Sequence, residues 1–249
     1  MSLLVRDPSS YYEDILPFYE LETAGRDDLA FWKRVCRRWR PRRVLELGSG
    51  LGRVTAVLAR NADWVTGIDI SIPMLACAHR GPAASRLHLA AADMRRLPFA
   101  GAFDLIVAPS DPFSHLTAAE DRRDTLTGVA RILGSAGRFV LDGLYLCGHA
   151  PLVRRRRLAV PGGTLSIRES WNPIAGRDQW EARYRYRLRT PSESREKSAS
   201  FVARSWDPGE IVSLFRSCDL AVEELWGSFA GEEFTRQSLR LIVVAAALS

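Results

Sequence analysis

The chain has 249 residues, a net charge of +6 at pH 7 and 47% hydrophobic residues. This length favours one enlarged globular domain over two, and no apolar run approaches the roughly eighteen residues of a membrane-spanning helix. The first residues lack the apolar core of a signal peptide, and the four scattered cysteines form no CxxC pair typical of a zinc site or a disulfide framework. We expect a cytoplasmic protein without a metal site or a membrane partner.

Arginines are concentrated in two short segments. Arg154–Arg157 is a run of four arginines, and five more lie within residues 37–43. Such clusters can bind nucleic-acid backbones. They are not part of a basic motif with regularly interleaved aromatic residues, as in single-strand binding proteins, and the chain also carries 29 acidic residues. We therefore interpret the arginines as a solvated surface rather than a nucleic-acid interface.

The predicted elements alternate between helices and strands along the first part of the chain. A tyrosine-rich segment broken by Pro17 comes first. The predicted elements that follow are a helix Asp27–Arg38, strand Val44–Leu47, helix Arg53–Arg60, strand Trp64–Ile70, helix Ile72–Ala78, strands Leu87–Ala91 and Phe103–Ala108, helix Ala118–Leu133 and strand Arg138–Asp142. Strands that alternate with helices at this spacing predict a doubly wound, Rossmann-like α/β fold with a parallel sheet.

The pattern after Asp142 changes to a period of two, which is typical of half-exposed antiparallel strands. We predict such strands at Thr164–Trp171, Gln179–Arg189 and Ser198–Ser205. They form a small antiparallel β insertion over residues 150–205. Because a flat aromatic strand face needs to be buried, the insertion either covers the substrate or forms a homodimer surface.

The end of the chain is predicted to complete the core sheet. A helix near Pro208 and strands Ala221–Phe229 and Leu239–Ala247 follow the insertion. The short connection between these two strands predicts an antiparallel pair. The predicted division is therefore a helical lid and nucleotide-type core in 1–149, the insertion in 150–205, and the rest of the core in 206–249.

The segment Val44–Arg53 carries the strongest functional signal. A buried strand ends in Gly48-Ser49-Gly50-Leu51-Gly52, and a helix follows. Glycines at a strand end let the backbone turn sharply and let a ligand approach it closely. The spacing differs from the Gly-x-Gly-x-x-Gly fingerprint of dinucleotide sites, and the Gly-Lys-Ser/Thr of a phosphate-binding loop is absent. Asp69, at the end of the next strand, is placed to accept hydrogen bonds from ribose hydroxyls.

Taken together, the motifs resemble those of the class I S-adenosylmethionine-dependent methyltransferases. The resemblance covers residues 40–145 and rests on ELGSGLG, GIDIS, AADMRRLPF, FDLIVAPSDPFSHL and GRFVLDGL. It implies a seven-stranded sheet with its last strand antiparallel, and S-adenosylmethionine as the cofactor without a metal. The subgroup that it resembles most is the bacterial aminosugar N,N-dimethyltransferases and related small-molecule enzymes.

The resemblance also implies which residues bind the cofactor. Glu46, Gly48, Ser49 and Gly50 would line its methionine and ribose end, and Asp69 would bind the ribose hydroxyls. The remaining residues implied by position are Gly52, Arg53 as a partner of the carboxylate, Ile70 and Met74 near the adenine, Asp93 on the adenine amino group, Met94, Ser110, and the early tyrosines Tyr11 and Tyr19 as a cover.

The substrate side is predicted from the loop after the fourth strand. His115 lies there at the carboxyl edge of the sheet, and a histidine is the usual group for proton transfer near neutral pH. We predict that it acts as a base or orients the substrate; His79, His88 and His149 have weaker claims. Predicted substrate contacts are Phe113, Tyr145, Tyr184 and Tyr186. The Asn/Asp-Pro-Pro-Tyr motif of DNA-base methyltransferases is missing.

The favoured function is methylation of a nitrogen or oxygen of a small molecule, in bacterial specialised metabolism. An RNA or protein methyltransferase that uses the arginine-rich surface is one alternative. A protein that binds S-adenosylmethionine without catalysis is another, and an NAD-dependent oxidoreductase is a third.

Overall fold

The computed structural model describes residues 8–78, 86–146, 151–238 and 240–248. Its helices are α1 (Pro8–Thr23), α2 (Leu29–Trp39), α3 (Arg53–Leu58), α4 (Ile72–Ala78), α5 (Ala119–Ile132) and α6 (Pro208–Arg216). Its strands are β1 (Arg43–Leu47), β2 (Trp64–Asp69), β3 (Leu87–Ala91), β4 (Phe103–Ala108), β5 (Leu133–Leu144), β6 (Leu152–Val160), β7 (Gly163–Pro173), β8 (Trp180–Arg189), β9 (Ser194–Ala203), β10 (Leu220–Trp226) and β11 (Arg240–Ala247). Short 3₁₀ turns span Met94–Arg96 and Pro112–His115.

The chain divides into two compact units. One contains Met1–Asp27 and Gly148–Arg204, and the other contains Asp28–Cys147 and Ser205–Ser249. The first helix therefore groups with the inserted strands, whereas the sequence placed it with the core. We call the first the insertion unit and the second the core unit.

The core unit is built on a seven-stranded sheet in the order β10-β11-β5-β4-β1-β2-β3. Strands β1 to β5 are parallel to one another, and β11 is antiparallel to both β5 and β10. This confirms the predicted doubly wound sheet with its last strand antiparallel. The central strands are mostly apolar because both faces are covered. One face packs around Trp32, Val44 and Leu58, and the other around Leu45 and Phe139.

Strand β5 is longer than the sequence predicts. It begins at Leu133, directly after α5, whereas the sequence predicted a helix as far as Leu133 and a strand that begins at Arg138. Leu133 pairs with Phe103, and the register then shifts before Leu105 pairs with Arg138. Gly134 and Gly137 thus lie in a bulge, where a close backbone approach favours residues without a side chain.

The insertion unit contains a four-stranded antiparallel sheet in the order β6-β7-β8-β9. The sequence predicted three of these strands and missed β6, whose arginine run was interpreted as a surface cluster. The period of two is present in β6, because exposure alternates from residue to residue. It was hidden because arginine occupies positions on both faces of the strand.

Helix α1 packs on the aromatic face of this sheet. Tyr11, Ile15 and Phe18 are buried with Ile167 and Tyr186 in one cluster. The helix continues through Pro17, contrary to the expected break. A proline inside a helix costs about 3 kcal/mol, and the burial of these side chains at helical spacing offsets that cost. The aromatic face that indicated a dimer surface is thus covered from within the chain.

Candidate cofactor and acceptor site

The glycine loop between β1 and α3 has a backbone that only glycine adopts readily. Gly48, Gly50 and Gly52 have φ values of 71°, 51° and 74°, in the left-handed region. A Cβ atom on Gly48 would lie 2.7 Å from the Cβ of Pro112. The glycine loop is therefore in close contact with the 3₁₀ turn that carries His115.

Two polar side chains, one near the end of β1 and one in the glycine loop, have oxygens without a hydrogen-bond partner among the described residues. The Glu46 side chain is 2% exposed and its Oε2 has no partner, and the buried Ser49 Oγ has none. Burial raises the pKa of Glu46 to about 8. Buried polar groups without partners are costly, so these atoms fit a site that a polar ligand completes.

Asp69 joins the glycine loop to the end of β2. Its Oδ2 accepts a hydrogen bond of 2.8 Å from the Gly50 amide, and its Oδ1 accepts one of 2.8 Å from the Ser71 amide. Burial raises the pKa of this carboxyl group. Each carboxylate oxygen can accept a further hydrogen bond, so Asp69 retains the capacity to bind ribose hydroxyls.

Arg53 is held by a partner that the sequence did not reveal. It forms a bidentate ion pair with Asp28, with N–O distances of 2.5 and 2.8 Å. The pair fixes the start of α3 to the start of α2. A guanidinium has five donors, so this pairing leaves room for the predicted bond to a carboxylate.

Asp93 caps the 3₁₀ turn after β3. Its carboxylate accepts from the Arg95 amide at 2.9 Å and from the Arg95 side chain at 2.7 to 3.0 Å. The Arg95 guanidinium lowers the pKa of Asp93. Arg95 and the adenine amino group would therefore both donate to the Asp93 carboxylate, and the bond to adenine remains a prediction.

Apolar side chains lie beside these polar groups. Ile70 follows Asp69 directly and is 46% exposed, so its side chain is accessible to an aromatic ring. Met74 is buried, and its Cε would lie 3.1 Å from a Cβ on Gly50. Met94 is partly buried against the core. Their predicted contacts with adenine are compatible with these positions.

The loop after β4 has an unusual backbone for residues other than glycine. Ser110 and Asp111 have φ values of 62° and 58°, which cost of order 1 kcal/mol or more each. Asp142 on β5 stabilises this conformation, because its Oδ2 accepts from the Ser110 amide at 3.0 Å and its carbonyl accepts from the Asp111 amide at 2.9 Å. Arg240 on β11 forms an ion pair with Asp142.

Asp111 further stabilises the loop. Its Oδ2 accepts from the Leu144 amide at 2.9 Å, and its carbonyl accepts from the Ser114 hydroxyl at 2.8 Å. Burial raises the pKa of Asp111 to about 7, and burial likewise raises the pKa of Asp142. The turn that carries His115 is thus fixed by two buried carboxyl groups.

His115 lies at the end of this 3₁₀ turn. Desolvation lowers its pKa to about 4, so its imidazole is neutral at physiological pH. His88 lies on β3 instead, stacked on Trp64 with ring centroids 3.8 Å apart. His79 and His149 lie outside the described residues.

Two of the predicted substrate contacts in the core unit have packing roles. Phe113 is fully buried against Phe139 and Trp206, so it offers no surface to a ligand. Tyr145 is partly buried and packs edge-on against Phe234. Packing in the core therefore explains why an aromatic residue stands at position 113, and no contact with a substrate is needed to explain it.

The four predicted tyrosines of the insertion unit also pack within that unit. Tyr11 is buried, with its ring 4.7 Å from that of Phe201, and Tyr186 is buried and donates a hydrogen bond to Glu22 at 2.9 Å. Tyr19 packs against Tyr12, and Tyr184 stacks on Tyr186. Their predicted contacts with cofactor and substrate remain predictions.

Sequence reasoning missed Asp28, Asp111, Asp142 and Arg240. Asp111 and Asp142 follow or end predicted strands, which was a usable signal. Asp28 and Arg240 carried none, because their partners lie 25 and 98 positions away in the chain.

Two features, a membrane-spanning helix and a metal-binding cluster, are not found among the described residues. No described helix is long and apolar enough to cross a membrane. Over the same residues, no group of three or more histidine, cysteine or acidic side chains is arranged to hold a metal.

Comparison with known proteins identifies the family. Residues 44–137 match the family described as methyltransferase domain. YqeM of Bacillus subtilis (strain 168), a protein named as a methyltransferase, is 33% identical over 216 residues, which is 82% of this chain and 83% of that protein. The chain belongs to the class I S-adenosylmethionine-dependent methyltransferases, and S-adenosylmethionine is its methyl donor.

Two further comparisons extend over almost the whole chain. The cypemycin N-terminal methyltransferase of Streptomyces sp is 26% identical over 259 residues, covering 96% of this chain and 98% of that protein. The S-adenosylmethionine-bound structure of CalS10, an amino pentose methyltransferase from Micromonospora echinaspora involved in calicheamicin biosynthesis, superposes with a TM-score of 0.77 at 18% identity. It covers 99% of both chains. This likeness confirms the fold.

Proposed function

We propose that the protein transfers a methyl group from S-adenosylmethionine to an amine nitrogen of a small molecule, in bacterial specialised metabolism. The observation that carries the proposal is a neutral His115 on a rigid turn in contact with the glycine loop. The names of two similar proteins support an amine acceptor, since one is named as an amino pentose methyltransferase and the other as an N-terminal methyltransferase.

The donor side is assigned to the polar residues of the glycine loop and its neighbours. When bound, the cofactor supplies a methyl group that is already activated as a sulfonium. Glu46 and Ser49 would bind its amino-acid end, and Asp69 would accept bonds from its ribose. Ile70 and Met74 would contact its adenine, and Asp93 would bind the adenine amino group. Arg53 would contact the carboxylate while it remains paired with Asp28.

The properties of His115 favour nitrogen over oxygen. An alcohol or phenol must lose its proton as it attacks, and general bases work best with a pKa near the working pH. An imidazole with a pKa of about 4 is a weak base. A neutral amine attacks through its lone pair and needs only orientation. We assign His115 the role of accepting an N–H hydrogen bond that aligns the lone pair.

The proposal is tested with a panel of acceptors. Amino sugars, small amines and peptides with a free N-terminus are compared with analogues that carry hydroxyl in place of the amine. We expect S-adenosylhomocysteine and a methylated product, detected by mass spectrometry, only with the amines. Methylation of the hydroxyl analogues alone would overturn the choice of nitrogen. Binding of the cofactor without transfer to any acceptor would favour the non-catalytic alternative.

The role of His115 is tested by His115→Asn. Loss of orientation typically costs about 10²-fold in rate, so we expect turnover to fall by about that factor while affinity for S-adenosylhomocysteine changes by less than about twofold. His88→Asn on β3 is the matched control and should leave both quantities unchanged. Unchanged turnover in His115→Asn would remove the residue from the mechanism.

A further inference from the structure

The face of the four-stranded sheet that points away from α1 carries a set of arginines. Strand register places them on one face, because they occupy alternate positions of three neighbouring strands. We call this set the arginine face: Arg155 and Arg157 on β6, Arg168 on β7, and Arg183, Arg185, Arg187 and Arg189 on β8.

Only part of this charge is neutralised within the sheet. Arg183 pairs with Glu181, and Arg185 and Arg187 share Glu196. Among the residues that the structure describes, the other four arginines have no carboxylate partner: Arg155, Arg157, Arg168 and Arg189. Four guanidinium groups on one small surface repel one another, and an anion would relieve that repulsion.

These four arginines line one cavity. Its volume is about 540 Å³, which lies within the roughly 300–1,000 Å³ of small-molecule sites. Arg155 lies opposite Arg168 in the register, while Ser166 lies opposite Arg157, and Thr164 opposite Arg189. The cavity thus has guanidinium groups on its sides and two hydroxyl groups on the strand between them.

We propose that this cavity binds a ligand that carries two or more linked phosphate groups. A tetrahedral phosphate presents oxygens in several directions, so one group can accept from guanidiniums on two strands and from a hydroxyl of the middle strand. A single carboxylate presents only two oxygens, both in one plane, and carries less charge, so it matches this three-dimensional set of donors less well. No residue that lines the cavity is aromatic, which disfavours single-stranded nucleic acid, whose bases stack on aromatic rings. The proposal is independent of the methyl acceptor.

The test is calorimetric titration of the full-length protein with tripolyphosphate, pyrophosphate, uridine diphosphate and citrate. The salt concentration is about 0.15 M, where exposed charges more than about 8 Å apart are screened. We expect saturable one-to-one binding of the phosphates and at least about tenfold weaker binding of citrate. If tripolyphosphate binds as tightly as uridine diphosphate, the ligand is a free oligophosphate. If uridine diphosphate binds more tightly, the ligand is an organic molecule that carries linked phosphates.

Two double variants separate the cavity from general charge. Arg157→Gln with Arg168→Gln removes two cavity arginines and should weaken tripolyphosphate binding by about tenfold or more. Arg183→Gln with Arg195→Gln removes the same amount of charge from the same unit, but outside the cavity. It should change the affinity for tripolyphosphate by less than about twofold. Circular dichroism verifies that both variants are folded.

Four results would overturn the proposal. They are no saturable binding, equal binding of citrate, equal weakening in both double variants, or binding of duplex RNA without binding of tripolyphosphate.

Discussion

At the scale of single residues, Glu46 is the most informative side chain. Strand β1 fixes it inside the sheet, where burial raises its pKa to about 8 and leaves one oxygen without a partner. Such a group costs stability in the ligand-free protein. The methionine end of the cofactor carries an ammonium group, which an ionised Glu46 would bind. Folding therefore leaves one polar group of Glu46 without a partner, and in the proposed function the donor supplies that partner.

This predicts that cofactor binding is coupled to a proton. The ligand-free carboxyl is protonated below about pH 8, and a nearby cation favours its charged form and lowers its pKa. Binding therefore releases up to one proton at pH 7, and affinity rises as pH rises toward 8. Calorimetry in buffers of different ionisation enthalpy measures this release.

The control for that prediction is Glu46→Gln, which cannot ionise. Its affinity should be weaker than that of the wild type and independent of pH between about 6 and 8. Equal proton release in this variant and the wild type would assign the proton to another group. Absence of proton release in the wild type would contradict the role of Glu46.

At the scale of elements, the loop after β4 depends on neighbouring strands for its conformation. Ser110 and Asp111 adopt left-handed backbone angles. Asp142 on β5 accepts a hydrogen bond from the Ser110 amide through its side chain and one from the Asp111 amide through its carbonyl. Arg240 from β11 pairs with the same carboxylate. The antiparallel last strand thus contributes to the turn that holds His115.

Asp142→Ala should therefore destabilise the protein and displace that turn. Asp142 is buried, whereas Arg240 is 35% exposed and can be rehydrated. Loss of the carboxylate, which leaves the Ser110 amide without its acceptor, should therefore cost about 1–3 kcal/mol, and displacement of the turn should lower turnover more than donor affinity. Denaturant unfolding, turnover and calorimetry measure the three quantities. Glu223→Ala removes an ion pair with Arg138 that is partly exposed, and it should cost less than about 1 kcal/mol. A similar small cost for both variants would contradict the role of Asp142.

The elements also show what the sequence could and could not predict. The core strands were predictable because burial on both faces makes them continuously apolar. Strand β6 was not, because Arg154 and Arg156 on its inner face pair with acidic residues such as Glu169 and so interrupt the apolar pattern. The prediction ended the first helix at Pro17. The helix continues because its side chains pack on strands that are distant in the sequence, which local sequence does not reveal.

At the scale of the whole molecule, the geometry of the proposed donor site was more predictable than that of the loop after β4. The left-handed backbone of Gly48 and Gly50, and the position of Asp69 at the end of β2, follow from local backbone chemistry, which a short motif encodes. The pairings of Arg53 with Asp28 and of Asp142 with Arg240 depend on folding, because each joins distant parts of the chain. Phe113 shows the limit of local inference, since only the folded core reveals that its ring is buried.

The central claim is that the carboxyl edge of β1 and β2 forms the donor site. Titration with S-adenosylhomocysteine tests it most directly, with wild type, Asp69→Ala and the matched control Asp63→Ala at the opposite end of β2. We predict one-to-one binding that Asp69→Ala weakens by about 1–3 kcal/mol and that Asp63→Ala leaves unchanged. Equal loss in both variants, or tighter binding of NADH than of S-adenosylhomocysteine by the wild type, would contradict it.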